Sequence, residues 1–368
     1  MAKAFTFGII GGSGATGSMV VSALHKSSPC NLLVGGRDLG KCQALTAQFD
    51  ARVSAALVDV LNPASLDMFC SQCSIIINCA GPVALLQDRV AQAALRTHCH
   101  YIDPAGVTLV KEHMHSHAED IAAERLSFVI SAGWMPGLSE LLAVYVHARA
   151  KARMDSVESV TIYFADSGDW SRSALFDAAW FVHKRGLSGP GYFRAGEPVR
   201  VKSSQVVCKV ALGDPLPTGR FAMYFTPELE AVGRRLKHCD VYALSYLSGL
   251  RTIVDSTLMA IVPLPEGLAI RMMRNIFRRN RMPVGGFAAV DVRGREHGKP
   301  ALMSARITFE LGRDYWIHGT TIATVARLVA DGKGVQPGLN YLADAFEPEV
   351  LVAALGEAGI AVESAWNP

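Results

Sequence analysis

The stretch "GIIGGSGATG", residues 8–17, lies between the apolar run "AFTF" and the segment "SMVVSALHKS". "AFTFGII" is free of charge and rich in β-formers, the pattern of a central parallel strand buried on both faces. The apolar residues of "SMVVSALHKS" fit a helix that starts near Ala15. Read from Gly12, the glycines space as G-x-G-x-x-G (Gly12, Gly14, Gly17); read from Gly11, they space as G-x-x-G-x-x-G, so the register stays open by one residue. In both registers the first glycine makes a tight turn, the second lets backbone approach a pyrophosphate, and the third lets helix and strand pack closely. The helix start offers free N–H groups and a partial positive charge. Gly11, Gly12, Ser13, Gly14, Ala15, Thr16 and Gly17 are therefore the candidate phosphate cradle.

The next strand, "NLLVGGR", bears on which dinucleotide is held. An NAD site places an acidic residue about 20 positions beyond the glycines, on the ribose 2′-OH. Here the strand ends in Gly35-Gly36-Arg37, and a guanidinium there suits the 2′-phosphate of NADP. Asp38 reads as the N-cap of the following helix, "LGKCQALTAQF". The cofactor expected is NADP(H).

Strand and helix patterns continue to alternate. "VSAALVD" reads as a strand ending at Asp59, placed to line the adenine pocket, and Asn62-Pro63 opens a helix. "SIIINCAGP" is a strand, and a helix from about Ala84 to Thr97 follows. Then come the strand "HYID", a helix through "KEHMHSHAEDIAAER" and the strand "LSFVISAG". This alternation predicts an α/β fold, a Rossmann-type doubly wound parallel sheet with its ligand over the carboxyl ends of the strands. After Lys151, "SVTIYFAD", "RFAMYF" and "DVYALSYL" look antiparallel, and "GGFAAVDVRG" with "ALMSARITFEL" reads as a hairpin. A second α+β domain on a mixed, largely antiparallel sheet is expected for substrate binding and dimerisation, with the active site in the crevice between the two. The expected domains are 1–135, 136–318, and C-terminal helices over 319–368 returning to the first domain.

Three segments together resemble the saccharopine dehydrogenase family in its NADP-dependent reductase branch: "IIINCAGP" (75–82), "VAQAALRTHCHYIDPAG" (90–106) and "VISAGWMPGLSELLA" (129–143). With the glycine loop they cover roughly the first 145 residues. The resemblance implies interconversion of an imine and an amine with a nicotinamide cofactor. It implies that Cys79, Ala80, Gly81 and Pro82 pass beneath the nicotinamide ribose, and that Asp103 and the Gly133-to-Gly137 turn face hydride transfer. The family commonly follows its Tyr-x-Asp with a Gly-Glu turn, whereas here Asp103 precedes Pro104-Ala105-Gly106. That departure keeps open the reduction of C=C or C=O.

Imine reduction asks the protein to orient the C=N and to supply a proton, for which Asp103 and Tyr101 are candidates. The segment 166–194 sets Trp170, Arg172, Trp180, His183 and Arg194 among glycines. Arg172 and His183 are further catalytic candidates for a carboxylate-bearing substrate, although a helix from Arg172 to Lys184 would equally place Phe176, Ala179 and His183 in a core. His98 and His100, and His113, His115 and His117, invite a metal reading, but alternate residues on a helix share no face, so the last three cannot converge as ligands. Cys70-x-x-Cys73 has no second pair, and no metal is expected. The basic run "RMMRNIFRRNRMP" (271–283) reads as a solvated helix face, or as a docking patch for an acidic carrier protein presenting a tethered substrate.

The bulk composition is that of an ordinary globular protein. The 368 residues are 50% hydrophobic and 19% charged, enough for two cores, and the net charge of +3 argues against nucleic-acid binding. Eight cysteines with no signal peptide ahead of them read as reduced and cytoplasmic. No apolar run is long enough to cross a membrane. A homodimer acting on a small or carrier-tethered substrate is expected; a silent cofactor-binding sensor or scaffold is the alternative outside enzymes.

Overall fold

The computed structural model describes residues 5–104, 109–184, 191–262 and 264–367. In chain order it opens with β1 (Thr6–Ile10), α1 (Ala15–Ser27), β2 (Asn31–Gly36), α2 (Leu39–Thr46), β3 (Val53–Leu57), α3 (Pro63–Cys70) and β4 (Ile75–Asn78). Then come α4 (Val83–Leu86), α5 (Arg89–Arg96), β5 (His100–Ile102), α6 (Leu109–His113), α7 (Ala118–Ala123), β6 (Ser127–Ile130) and α8 (Leu138–Lys151). The middle of the chain forms β7 (Ser156–Asp166), α9 (Arg172–Lys184), β8 (Gly191–Arg194), β9 (Glu197–Arg200), β10 (Val207–Ala211), β11 (Thr218–Met223), α10 (Pro227–Arg235) and β12 (Asp240–Leu247). It closes with α11 (Leu250–Ile261), α12 (Glu266–Arg279), β13 (Gly286–Glu296), β14 (Lys299–Phe309), α13 (Asp314–Asp331), β15 (Gly338–Tyr341), α14 (Leu342–Ala345), α15 (Pro348–Glu357) and β16 (Glu363–Asn367).

Residues 1–138 with 315–359 make one compact unit, and 139–314 with 360–368 make the other. The first unit holds a seven-stranded parallel sheet in the order β15-β6-β5-β4-β1-β2-β3. Its central strands are apolar on both faces, as the unbroken runs require: Phe7, Ile9, Ile10 and Ile75 to Ile77 are all buried. Local signals set several boundaries. Asp38 accepts the Lys41 N–H at 3.1 Å to cap α2, and Asn62 accepts the Ser65 N–H at 3.2 Å to cap α3 ahead of Pro63.

The second unit is built on a nine-stranded mixed sheet running β10-β11-β12-β7-β13-β14-β16, with β8 and β9 attached beside β12. Only β12 and β7 pair in parallel on that path. The hairpin β13–β14 turns through His297 and Gly298, both at positive φ (51° and 74°), the geometry of a two-residue hairpin loop.

The structure departs from the sequence reading in four places. The strand expected to end at Asp59 ends at Leu57, and Asp59 lies in the turn beyond it, its Oδ1 accepting the Leu61 N–H at 3.0 Å. The single helix expected over Ala84 to Thr97 is two, broken where Gln87 takes φ 55°. The helix through the histidines is interrupted by a 3-10 turn over Met114–His117. Finally, the C-terminal segment 319–368 does not return whole to the first unit. Its last strand, β16, pairs with β14 in the second sheet, from Leu302↔Asn367 to Arg306↔Glu363. The alternating "ESAWN" finds an open sheet edge there, a long-range partner that no local pattern announces.

Candidate functional site

At the end of β1 the chain turns sharply into α1, and the crowding of the glycines resolves their register. Gly11 has φ +76°, and a Cβ on it would lie 2.7 Å from the Ala80 N and 2.8 Å from the Cys79 carbonyl. At Gly17 a Cβ would lie 2.4 Å from the Gly11 oxygen and 2.6 Å from the Gly12 Cα. Gly14 is looser and exposed, with nothing nearer than 3.2 Å. The tight turn is thus Gly11, the close helix–loop packing is Gly17, and Gly14 presents open backbone, the G-x-x-G-x-x-G reading.

Among the described residues, no side chain caps the start of α1. Gly14 gives no side-chain cap, the first turn carries no acid, and the Ser18 N–H is the first to reach back, to Gly14 at 2.9 Å. The N–H groups of Ala15, Thr16 and Gly17 therefore point out of the helix without intrahelical partners. Ser13 and Thr16 stand partly exposed beside them. That arrangement fits a pyrophosphate.

At the end of β2, Arg37 is exposed, and no acidic side chain among the described residues pairs with it. Asp38 has a different commitment: besides capping α2, it lies 3.4 Å from the Lys41 Nζ, and the Lys41 backbone N–H is the main cause holding its carboxyl below the ordinary range. A free guanidinium beside a capped carboxylate suits a 2′-phosphate rather than a ribose hydroxyl.

Beyond β4, the Cys79 N–H bonds Ile10 at 2.8 Å, keeping the Cys79-to-Pro82 turn against the glycine loop. Asn78, closing the apolar strand "IIIN", is 3% exposed. Its Oδ1 accepts the Ala80 N–H at 3.1 Å and its Nδ2 donates to the Tyr101 hydroxyl at 3.2 Å. Tyr101 is wholly buried beside the Asp103 carboxyl. Burial, chiefly, and the nearby Asp103 push the Tyr101 hydroxyl well above its usual range; the same two causes raise the Cys79 thiol to about 12. Asn78, Tyr101 and Asp103 thus form one buried polar group at the carboxyl edge of β4 and β5, with the partly exposed Cys79 beside it. Asn78 escaped the sequence reading; a lone amide ending an all-isoleucine strand was its signal.

The turn after β6 also meets a residue that the sequence reading passed over. His318, on α13, accepts the Trp134 backbone N–H on Nδ1 at 3.1 Å. Burial pushes this imidazole down to about 4.

In the second unit α9 spans Arg172–Lys184 as expected. Its Leu175 and Ala179 are buried with Met273 and Ile276 of α12, while Phe176 and Trp170 pack on that cluster and Trp170 stacks on Phe277 at 4.1 Å. Core packing accounts for that face of α9. Arg172 is exposed at its start, and the His183 side chain lies outside the described residues. The basic run is partly spent on ion pairs: Arg278 meets Asp169 at 3.0 Å and Arg279 meets Asp255, and Arg281 falls beyond the end of α12. His113 lies 3.4 Å from Asp88, His117 3.7 Å from Asp120 and His98 2.6 Å from Glu124, so three of the histidines face three separate carboxylates. No described helix is long and apolar enough to cross a membrane.

Comparison with known proteins agrees with the geometry of the first unit. The family model described as the saccharopine dehydrogenase NADP binding domain matches residues 7–131. The saccharopine dehydrogenase-like oxidoreductase of Mus musculus is 26% identical over 210 residues, 52% of this chain and 48% of its own length. The "Probable mitochondrial saccharopine dehydrogenase-like oxidoreductase" of Arabidopsis thaliana is 30% identical over 155 residues, 38% of this chain and 34% of that protein. The matches thus span about half or less of these relatives. Among solved structures, apo saccharopine dehydrogenase (L-Glu forming) from Saccharomyces cerevisiae superposes with a TM-score of 0.69 over 99% of this chain and 100% of its own, at 14% identity, a likeness of fold. The uncapped α1, the crowded Gly17 and the free Arg37 fit the cofactor for which that domain is described. Residues 7–131 are thus an NADP(H)-binding domain of the saccharopine dehydrogenase type, and the chain is similar to oxidoreductases of that family.

Proposed function

We propose that this chain is an NADPH-dependent oxidoreductase that reduces a C=N bond to an amine, or runs the reverse, on a small or carrier-tethered amino-acid-like substrate. The observation that carries the reading is the buried group of Asn78, Tyr101 and Asp103 beside Cys79, on the turn that touches the glycine loop. NADPH, when bound, supplies the hydride. The protein's part is to hold the substrate and to place a proton. Asp103, with Tyr101 at its side, is a carboxyl group able to steady a cationic iminium and to keep the proton that an amine product needs. Asn78 fixes the Tyr101 hydroxyl and the Ala80 turn at once. Arg172 is the candidate cation for a substrate carboxylate. His183 keeps the same candidacy from its place on α9, and a cytoplasmic homodimer remains part of the proposal.

The test is NADPH oxidation followed at its absorbance band with three substrate sets: an amine plus a 2-oxoacid, a ketone alone, and an activated alkene alone. Turnover only when amine and carbonyl are both present supports the reading. Turnover of ketone or alkene alone sinks it in favour of the second reading, C=O or C=C reduction, which the Pro104 that follows Asp103 favours. NADPH binding with no turnover in any set would leave a cofactor-binding sensor.

A further inference from the structure

We propose that His318 holds the nicotinamide end of bound NADP(H), its Nε2–H donating to the carboxamide oxygen. The inference rests on the cofactor assignment and goes beyond it by naming a residue that neither the glycine loop nor the Tyr101–Asp103 group includes.

The geometry starts from a backbone amide. An N–H can only donate, so the 3.1 Å bond from Trp134 N to His318 Nδ1 requires a lone pair on Nδ1. In the neutral ring the proton must then sit on Nε2. Burial keeps the ring neutral above about pH 4, so this tautomer persists through the physiological range. The imidazole is partly exposed, and no described residue accepts from Nε2. A fixed, neutral donor is thus left without an acceptor among the described residues, at no cost of reorientation when one arrives.

Its position is set by close packing. A Cβ on Gly133 would lie 2.6 Å from the Pro104 carbonyl and 3.0 Å from His318 Nδ1, so only glycine lets the ring come so near. Gly133 follows β6 and Pro104 follows β5, and the Ala132 N–H ties the two strand ends by donating to the Asp103 carbonyl at 2.7 Å. The ring therefore stands over the carboxyl edge of β5 and β6. In the sheet order these strands lie on the opposite side of β1 from β2, which carries Arg37. A dinucleotide with its 2′-phosphate at Arg37 and its pyrophosphate at Ala15 to Gly17 extends toward β4, β5 and β6. β6 is three strands from β1, about 14 Å at the usual spacing, so the far, nicotinamide end is the part that reaches it. The carboxamide oxygen is the acceptor there.

Two substitutions separate a donor from an anchor. In His318→Asn the side-chain oxygen can replace Nδ1 and keep the Trp134 N–H, with nothing at the Nε2 position. In His318→Gln the amide nitrogen can replace Nε2, and Nδ1 is lost. Dissociation constants for NADPH and for adenosine 2′,5′-bisphosphate, which has no nicotinamide, would be measured by fluorescence and calorimetry alongside melting temperatures. We expect His318→Asn to melt near wild type and to bind NADPH about fivefold more weakly, the effect of one neutral hydrogen bond. Its affinity for the bisphosphate should be unchanged, and His318→Gln should recover most of the NADPH affinity. NADPH binding unchanged in His318→Asn overturns the proposal. So does a loss shared by both probes, or one seen in His318→Gln but not in His318→Asn, which would make His318 a turn anchor only. Wild-type protein that binds neither probe overturns the cofactor assignment itself, a result separate from the comparison of variants.

Discussion

The Asn78 side chain donates to the Tyr101 hydroxyl at 3.2 Å, joining the end of β4 to β5 inside a group with almost no solvent exposure. Because Asn78 also accepts the Ala80 N–H, one amide positions both the buried hydroxyl and the turn on which Gly11 packs. Tyr101→Phe removes the acceptor of Asn78 and the hydroxyl beside Asp103 while keeping the ring. The expected cost is about 1–3 kcal/mol of stability, read from urea unfolding. NADPH affinity should stay within about twofold, whereas turnover on the amine-plus-oxoacid assay should fall.

In the proposed function, Arg37 sets the choice of dinucleotide. Arg37→Glu should weaken NADPH at least about tenfold, or roughly 1.4 kcal/mol, and leave NADH equal or better. Titration of both nucleotides against tryptophan fluorescence checks this. An unchanged preference would move the 2′-phosphate contact to some other cation.

The glycines should differ in what they tolerate. Gly17→Ala pushes a methyl to 2.4 Å from the Gly11 carbonyl, backbone against backbone. We expect about 1–3 kcal/mol of destabilisation and loss of NADPH binding. Gly14→Ala meets nothing closer than 3.2 Å, so it should melt near wild type and weaken NADPH only where the extra methyl crowds the phosphates. Equal melting temperatures for the two variants would contradict the close packing of Gly17 against the Gly11 carbonyl.

Two buried groups should act on stability in opposite directions over one pH window. Asp166, 2% exposed at the end of β7, is raised to about 7, by burial first and by the neighbouring Asp314. It holds its proton more tightly folded than unfolded, so its contribution is fully present below about pH 4 and is lost as pH climbs toward 7. His318, depressed to about 4 by burial, is neutral when folded but charged in the unfolded chain below about pH 6.5. Its contribution is therefore lost as pH falls from about 6.5 to 4. Urea midpoints across that range should fall more steeply on acidification in Asp166→Asn than in wild type, and less steeply in His318→Asn.

Cys79 should resist alkylation despite its partial exposure. With its thiol raised to about 12, by burial and then by Asp103, little thiolate exists at pH 8. Iodoacetamide labelling followed by peptide mass mapping should leave Cys79 unmodified in wild type and reach it faster in Asp103→Asn. Rapid labelling of Cys79 in wild type would contradict the buried polar group.

Much of the first unit was legible in sequence because its causes are local. An all-apolar strand, a run of glycines and a helix start are contiguous in "AFTFGIIGGSGATG". The capping roles of Asp38 and Asn62 depend on side chains reaching amides three residues on. Arg37 was legible for the same reason, since it stands at the end of a recognisable strand. The one-residue ambiguity of the glycine register was not legible. Gly11 and Gly12 are alike as letters, and only the approach of Cys79 and Ala80, nearly 70 positions away, separates them.

What tertiary structure decided lies at long range. Asn78 and Tyr101 are 23 residues apart, and Trp134 and His318 are 184 apart. Neither pair shares a periodicity, and a histidine in "YWIHGTT" reads as one helical residue among many until β6 brings a backbone amide to its ring. The last strand, β16, is a plain alternating pentapeptide whose partner on β14 is chosen by an open sheet edge. Sequence alone determined the strands, caps and glycine run of the cofactor half, because hydrogen-bonding and steric rules between near neighbours suffice for those. Which polar groups are buried together, and so which of them hold protons, was decided only when the sheet assembled, because desolvation belongs to the packed fold and to no single segment.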